Sequence, residues 1–196
     1  MSNTKSKAKS TAVLGMFSAI IVVLQLLSYV VKIGNTFNLS LVLIPIVLGA
    51  VLYGPAKGAI LGGVFGATVV VSSLTGLDGG GNFLMSISPI LTSVSCMVKG
   101  ILAGLAAGYA AKFFKFKNRY LSVFIAAIVA PIVNTAVFVL CMFLFFKETM
   151  TAGADGTNLM YYVIFTMIGV NFLIEFAINV VFAPAVLRVV NAVRRI

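Results

Sequence analysis

The chain has 196 residues, of which 61% are hydrophobic and 9% charged, and it contains no histidine. An ordinary soluble domain is about 25% charged, so this composition argues against a water-soluble enzyme, and the apolar content excludes disorder. Fourteen Lys and Arg face four acids (Asp78, Glu148, Asp155 and Glu175), a balance of +10 that in a soluble protein would suggest nucleic acid. Without histidine there is no Ser-His-Asp or Cys-His nucleophile and no imidazole zinc site. Cys96 and Cys141 both lie inside apolar runs without metal spacing and read as buried, reduced thiols. No metal or cofactor is expected.

Taken in chain order, residues 1–10 form a basic tail carrying Lys5, Lys7 and Lys9. The apolar run behind it is longer than a signal-peptide core and lacks a small-x-small cleavage site, so it predicts a first membrane span. A span needs about 20 predominantly apolar residues. Six candidates follow, over 11–31, 39–53, 56–74, 89–111, 120–146 and 159–190. They predict an all-α integral membrane protein, a compact bundle of six transmembrane helices forming one domain over 11–190, with a second basic tail at 191–196. The second span is short and interrupted by Pro45, as segments beside transporter sites often are. The third is rich in glycine, which is poor for a helix in water but permits close helix packing in lipid. Ser88-Pro89 reads as an N-cap and first helical position for span four. Two connections, 75–88 with Gly76, Gly79, Gly80 and Gly81, and 147–158 with Gly153 and Gly156, read either as flexible turns or as lids over a pocket.

The charges sort by side. Six spans put Lys5, Lys7, Lys9, Lys57, Lys112, Lys115, Lys117, Arg119, Arg188, Arg194 and Arg195 together, eleven basic residues against Lys32 and Lys147 opposite. The positive-inside rule then places both termini in the cytoplasm. The basic surplus becomes a topology signal, and no nucleic-acid partner is expected.

Polar groups inside the membrane are costly and are functional candidates by default. Lys99 and Glu175 are the two deep ionisable side chains. At 1.5 Å per residue, Lys99 lies about 15 Å from the outer start of span four, and Asn134 and Asn171 about 18 Å from the outer ends of spans five and six. Asn171, Glu175 and Asn179 share one face of span six, and Thr92, Ser95, Cys96 and Lys99 form a stripe on span four. Pro131, one turn before Asn134, frees a carbonyl in span five. Two readings stay open. Lys99 and Glu175 form a buried pair with the asparagines gluing helices together, or these groups line an outward-facing cavity. There Lys99 would hold a carboxylate or polarised oxygen, and the asparagines would bond amide or hydroxyl groups.

Small residues recur at helical spacing: Gly15 and Ala19 in span one; Gly58, Gly62 and Gly66 with Ala59 and Gly63 in span three; Gly100, Gly104 and Gly108 in span four. Such rows serve packing within the bundle or offer a flat surface to a helical partner.

With its basic N-terminal tail, its six spans and Gly15-x-x-x-Ala19, the chain resembles the substrate-binding S component of energy-coupling factor (ECF) vitamin transporters. The run from Leu48 to Gly58 is similar to that family's junction of spans two and three, as are Lys99-Gly100-Ile101-Leu102-Ala103-Gly104 and Asn171-Phe172-Leu173-Ile174-Glu175 in their spans. The resemblance implies a multi-pass protein of the prokaryotic cell membrane that captures a vitamin near the outer face. It also implies partnership with a transmembrane coupling subunit and two cytoplasmic ATPases, and toppling of the S component during transport. The family's Ala-x-x-x-Ala docking motif maps onto Gly15 and Ala19, and Ala59 and Gly63 are further candidate docking positions. Loops 34–38 and 75–88 would help close the site, making Asn35, Asn38, Asp78 and Asn82 candidate lid residues. The candidate substrate-binding residues are Lys99, Asn134, Asn171, Glu175, Ser95 and Thr92. The chain has no phosphate-loop motif of its own, so it is not expected to be an enzyme by itself.

Pantothenate fits a site with one cation and several amide groups; riboflavin, folate or another micronutrient are the alternatives. A stand-alone secondary transporter would need a coupling acid, for which Glu175 is the deep candidate, and an intramembrane enzyme would have only Lys99 and Glu175 for acid–base work. A purely structural assembly protein would lack a pocket altogether.

Overall fold

A computed structural model describes residues 2–30, 32–33, 37–38, 40–114, 118–153, 158, 161 and 169–193. The elements are α1 (Ser2–Val30), β1 (Lys32–Ile33), β2 (Phe37–Asn38), α2 (Leu43–Tyr53) and α3 (Pro55–Leu74). They continue with α4 (Gly79–Ile87), α5 (Pro89–Phe114), α6 (Arg119–Phe145), α7 (Lys147–Gly153) and α8 (Gly169–Val193). The two short strands pair antiparallel, with Lys32 opposite Asn38, so a small ribbon joins the otherwise helical architecture.

Among the described residues, five stretches are long and apolar enough to cross a membrane: Thr11–Val30, Pro55–Leu74, Pro89–Phe114, Arg119–Phe145 and Asn171–Val193. Their outward faces carry Val23, Val71, Ile90, Leu144 and Val181, all exposed, as helices facing hydrocarbon should. Helix α2 differs. Its 11 residues rise about 16 Å, short of the roughly 30 Å hydrocarbon thickness. It is instead the buried centre, with Leu43, Ile46 and Val47 sealed from solvent and α1, α3, α5, α6 and α8 packed around it. Pro45 lies in its first turn, where a missing N–H breaks no helical bond. Gly54, at φ +92°, makes the sharp turn into α3, and Pro55 takes the first helical position.

The closest helix contact joins α3 to α5. Gly58 lies against the carbonyl of Gly104, Gly62 against that of Gly100, and Gly66 against that of Cys96. The paired numbers run in opposite senses, so the helices are antiparallel and touch backbone to backbone. Gly108 extends the row to the backbone of Pro55. Small residues also line the seam of α5 with α6, where the Ser122 hydroxyl donates to the Ala111 carbonyl at 2.8 Å. Antiparallel α6 and α8 are tied at the basic end by Arg119, which donates to Asn191 Oδ1 at 3.1 Å. One core runs from Phe17 and Ile21 through α2, Leu61, Phe65 and Ala127 to Val186 and Val190. A smaller cluster of Leu84, Met142, Phe146 and Met150 packs α4 and α7 onto α6.

Two expectations are corrected. The glycine-rich connection 75–88 is not a loop throughout: α4 occupies Gly79–Ile87. Asp78 caps that helix by accepting from Gly81 N at 3.2 Å, and the buried Leu84 and Met85 hold it down. The connection 147–158 likewise begins with α7, anchored by Met150. Local capping and two or three apolar anchors outweigh the poor helix propensity of the glycines. Asn35, residues 154–157 and the expected start of span six at 159 lie outside the described residues.

The α3–α5 contact makes a stability prediction. Gly62→Val places a side chain into the Gly100 carbonyl and should cost at least about 1–3 kcal/mol, whereas Gly15→Ala, with nothing near its added Cβ, should not lower the melting temperature. Thermal unfolding of both variants in detergent checks this; equal melting temperatures would contradict the contact.

Candidate functional site

The helices enclose a cavity of about 630 Å³, within the size range of small-molecule sites. It sits at the end of the bundle where α1 finishes, α5 begins and α4 and α7 cross, opposite the end bearing Lys57, Lys112, Arg119 and Arg188. From α5 come Thr92, Cys96 and Lys99; from α6, Asn134, Thr135 and Phe138; from α8, Asn171, Phe172 and Glu175. Helix α1 contributes Gln25, Ser28 and Tyr29, and Ser40 enters from the segment before α2. Residues of α4 and α7, with Asp78 beside them, form the rim.

The α3–α5 contact positions Lys99. It precedes Gly100, and the Phe65 ring of α3 lies beside that glycine. The Lys99 ammonium stands 4.6 Å from the centre of the Phe138 ring and 5.9 Å from that of Phe65, so two aromatic faces stabilise the cation. Glu175 is buried beside Asn134, close enough to sense the Lys99 charge. Among the described residues, no ion pair within 4.0 Å joins Lys99 to Glu175. The next turn of α8 is held internally, with Asn179 Nδ2 donating to the Glu175 carbonyl at 2.8 Å.

Several polar atoms in this wall have no partner. Gln25 Oε1, Ser40 Oγ and Asn134 Oδ1 are buried and unbonded. Buried polar atoms are ordinarily satisfied by protein or water; Gln25, Ser40 and Asn134 belong to residues that line the cavity, while Ser72 Oγ, likewise without a partner, belongs to one that does not. The Thr92 hydroxyl donates to the Ser88 carbonyl at 2.8 Å and keeps an acceptor free toward the cavity.

Of the candidate binding residues, Lys99, Asn134, Asn171, Glu175 and Thr92 thus surround one space. Ser95 does not join them. It lies about 60° around the helix from Thr92, buried, its hydroxyl donating to the Leu91 carbonyl at 2.7 Å. Of the candidate lid residues, Asp78 lines the cavity. Asn82 is in α4 and clips it to α3 by donating to the Ser73 carbonyl at 2.9 Å. The Asn38 backbone pairs with Lys32, and Asn35 is outside the described residues. Gly15 and Ala19 lie on an exposed face of α1, while Ala59 is half-buried and Gly63 packs near Ile101.

Sequence reasoning passed over Gln25, Ser28 and Tyr29. Their spacing is the same polar stripe that singled out span four, so the signal was present. Ser40, between a hairpin and a helix, carried none, and nothing distinguishes Phe65 and Phe138 among sixteen phenylalanines.

The family model of the ECF transporter substrate-specific component matches residues 9–187. The chain belongs to this family. S components are subunits of multi-pass membrane transporters, not enzymes; they capture small vitamin-like substrates in the cell membrane and work with an energy-coupling module. Among curated proteins, the chain is 27% identical over 198 residues to the pantothenic acid transporter PanT of Lactococcus lactis subsp. cremoris (strain MG1363), covering 97% of each chain.

Matched serine substitutions test the orphan atoms. In ligand-free S component, Ser40→Ala removes an unbonded oxygen and should leave the melting temperature unchanged or raised. Ser122→Ala breaks an interhelical bond and should cost about 1 kcal/mol. A larger loss at Ser40 than at Ser122 would show that Ser40 is bonded.

Proposed function

We propose that this S component captures pantothenate from outside the cell and delivers it through an ECF-type importer. The observation that carries this reading is a cation that, among the described residues, makes no ion pair, in a cavity lined by polar side chains. Lys99 takes the carboxylate. Asn134, Asn171 and Glu175 bond the amide and hydroxyl groups, with Thr92 as a further acceptor. The similarity to PanT supports the choice among vitamins. Riboflavin and folate present large flat rings, and no pair of parallel aromatic faces among the described lining residues favours them.

The chain crosses the membrane six times as one domain over 11–190, with α2 and its flanking segments making the short crossing. Both tails, 1–10 and 191–196, are cytoplasmic. Lys57, Lys112, Arg119 and Arg188 lie at the end opposite the cavity, which by the positive-inside rule opens outward. Exposed Gly15 and Ala19 on α1, with Ala59 and Gly63 on α3, offer a docking face to a transmembrane coupling subunit, and two cytoplasmic ATPases supply the energy.

Calorimetry in detergent with pantothenate and its neutral alcohol, pantothenol, tests this. A charge-assisted bond is worth about 1.5–3 kcal/mol, so pantothenol should bind roughly 10- to 150-fold more weakly. Lys99→Gln should weaken pantothenate by a similar factor and bind the two compounds alike. Absence of pantothenate binding, or equal affinity for both compounds in the parent, would overturn the proposal.

A further inference from the structure

The outer part of the cavity carries polar groups that carboxylate capture at Lys99 leaves unexplained. Gln25 is 5% exposed. Its Nε2 donates to the Tyr29 hydroxyl at 2.6 Å, while its Oε1 has no partner. Ser40 Oγ is a second buried atom without one. Both residues line the cavity, together with Asp78 at the rim.

These groups lie at a different depth from the cation. Gln25 is five residues from the outer end of α1 at Val30, and Lys99 ten residues from the outer start of α5 at Pro89. At 1.5 Å per residue these are about 8 and 15 Å along their own helices, a separation of about 7 Å along the bundle when the two helix ends are taken as level. Pantothenate is a β-alanine joined to a dihydroxy acid. Its two ends stand roughly two to three extended residues apart, about 7–10 Å, which spans this separation.

The chemistry of the outer groups is selective. Gln25 Oε1 and the Asp78 carboxylate both present lone pairs, so a second carboxylate is repelled there. The Tyr29 oxygen accepts from Gln25, and a serine hydroxyl both donates and accepts. A ligand hydroxyl, itself donor and acceptor, completes this set.

We infer that the outer part of the cavity is a hydroxyl subsite, in which Gln25 Oε1 and Ser40 Oγ bond the hydroxyl groups of a solute whose carboxylate lies deeper at Lys99. This rests on the pantothenate reading and adds a direction to it: the carboxylate enters first and the diol faces the mouth. Gln25 and Ser40 are then specificity-determining residues, because an analogue without hydroxyls leaves their buried atoms unpaired.

The experiment measures the affinity of pantothenate and of its dideoxy analogue, the same branched N-acyl-β-alanine lacking both hydroxyls, for the parent, Gln25→Leu, Ser40→Ala and Lys99→Gln. The parent should prefer pantothenate by about 10-fold or more. Gln25→Leu should reduce that preference to within about 3-fold by removing one acceptor, and Ser40→Ala, the smaller change, should reduce it in the same direction. Lys99→Gln should weaken both compounds and leave their ratio intact. If pantothenate binds but neither Gln25→Leu nor Ser40→Ala changes the ratio, the subsite assignment is wrong while the substrate stands. If neither compound binds the parent, the substrate reading fails and the subsite with it.

Discussion

Two helices can meet backbone to backbone only where neither carries a side chain, and the contact of α3 with α5 has that form. Gly58, Gly62 and Gly66 lie against the carbonyls of Gly104, Gly100 and Cys96 at positions where a methyl group would collide. In lipid, where apolar side chains gain little by leaving hydrocarbon for one another, such close approach supplies much of the association energy. The rest of the site is placed by it. Lys99 precedes one of these glycines and Cys96 is another point of contact, so the binding face of α5 is fixed by the packing of its adjacent edge. Phe65, beside Gly100, also stands near the Lys99 ammonium.

The second constraint is polar. A bundle this apolar has few groups with which to satisfy a buried charge, and it does not close Lys99 onto Glu175. Aromatic faces hold the ammonium instead. Ring quadrupoles stabilise a cation without neutralising it, so the amine remains available to an anionic group. The orphan oxygens of Gln25, Ser40 and Asn134 follow the same pattern. Away from the cavity, the hydroxyls of Ser95 and Ser122 are satisfied by helix carbonyls, whereas Ser72 Oγ is a further atom without a partner.

Much of this could be read from the sequence, and where it could not the reasons are physical. Counting 1.5 Å per residue from the span ends singled out Lys99, Asn134 and Asn171, and all three line one cavity, although the start of span six from which Asn171 was counted lies outside the described residues. Angular detail was less secure. Ser95 sits at the edge of the span-four stripe and falls outside the wall. The helices α4 and α7 were hidden because glycine-rich sequence reads as loop, whereas the Asp78 cap and the anchors Leu84, Met85 and Met150 are tertiary effects. Gln25 was overlooked although Gln25, Ser28 and Tyr29 stand at i, i+3 and i+4, because the stripe carries no charge and lies close to the end of its span. The glycine rows were visible, but their spacing alone could not say whether they met each other or a partner.

The central claim is that an unpaired lysine, positioned by a glycine-packed helix, receives the carboxylate of the transported vitamin. An experimentally determined structure of the protein with pantothenate bound tests it most directly. The account predicts carboxylate oxygen at charge-assisted bonding distance from Lys99 Nζ, about 2.7–2.9 Å, with the diol toward Gln25 and Ser40. Pantothenate bound with its carboxylate at the mouth, and Lys99 closed onto Glu175, would contradict it.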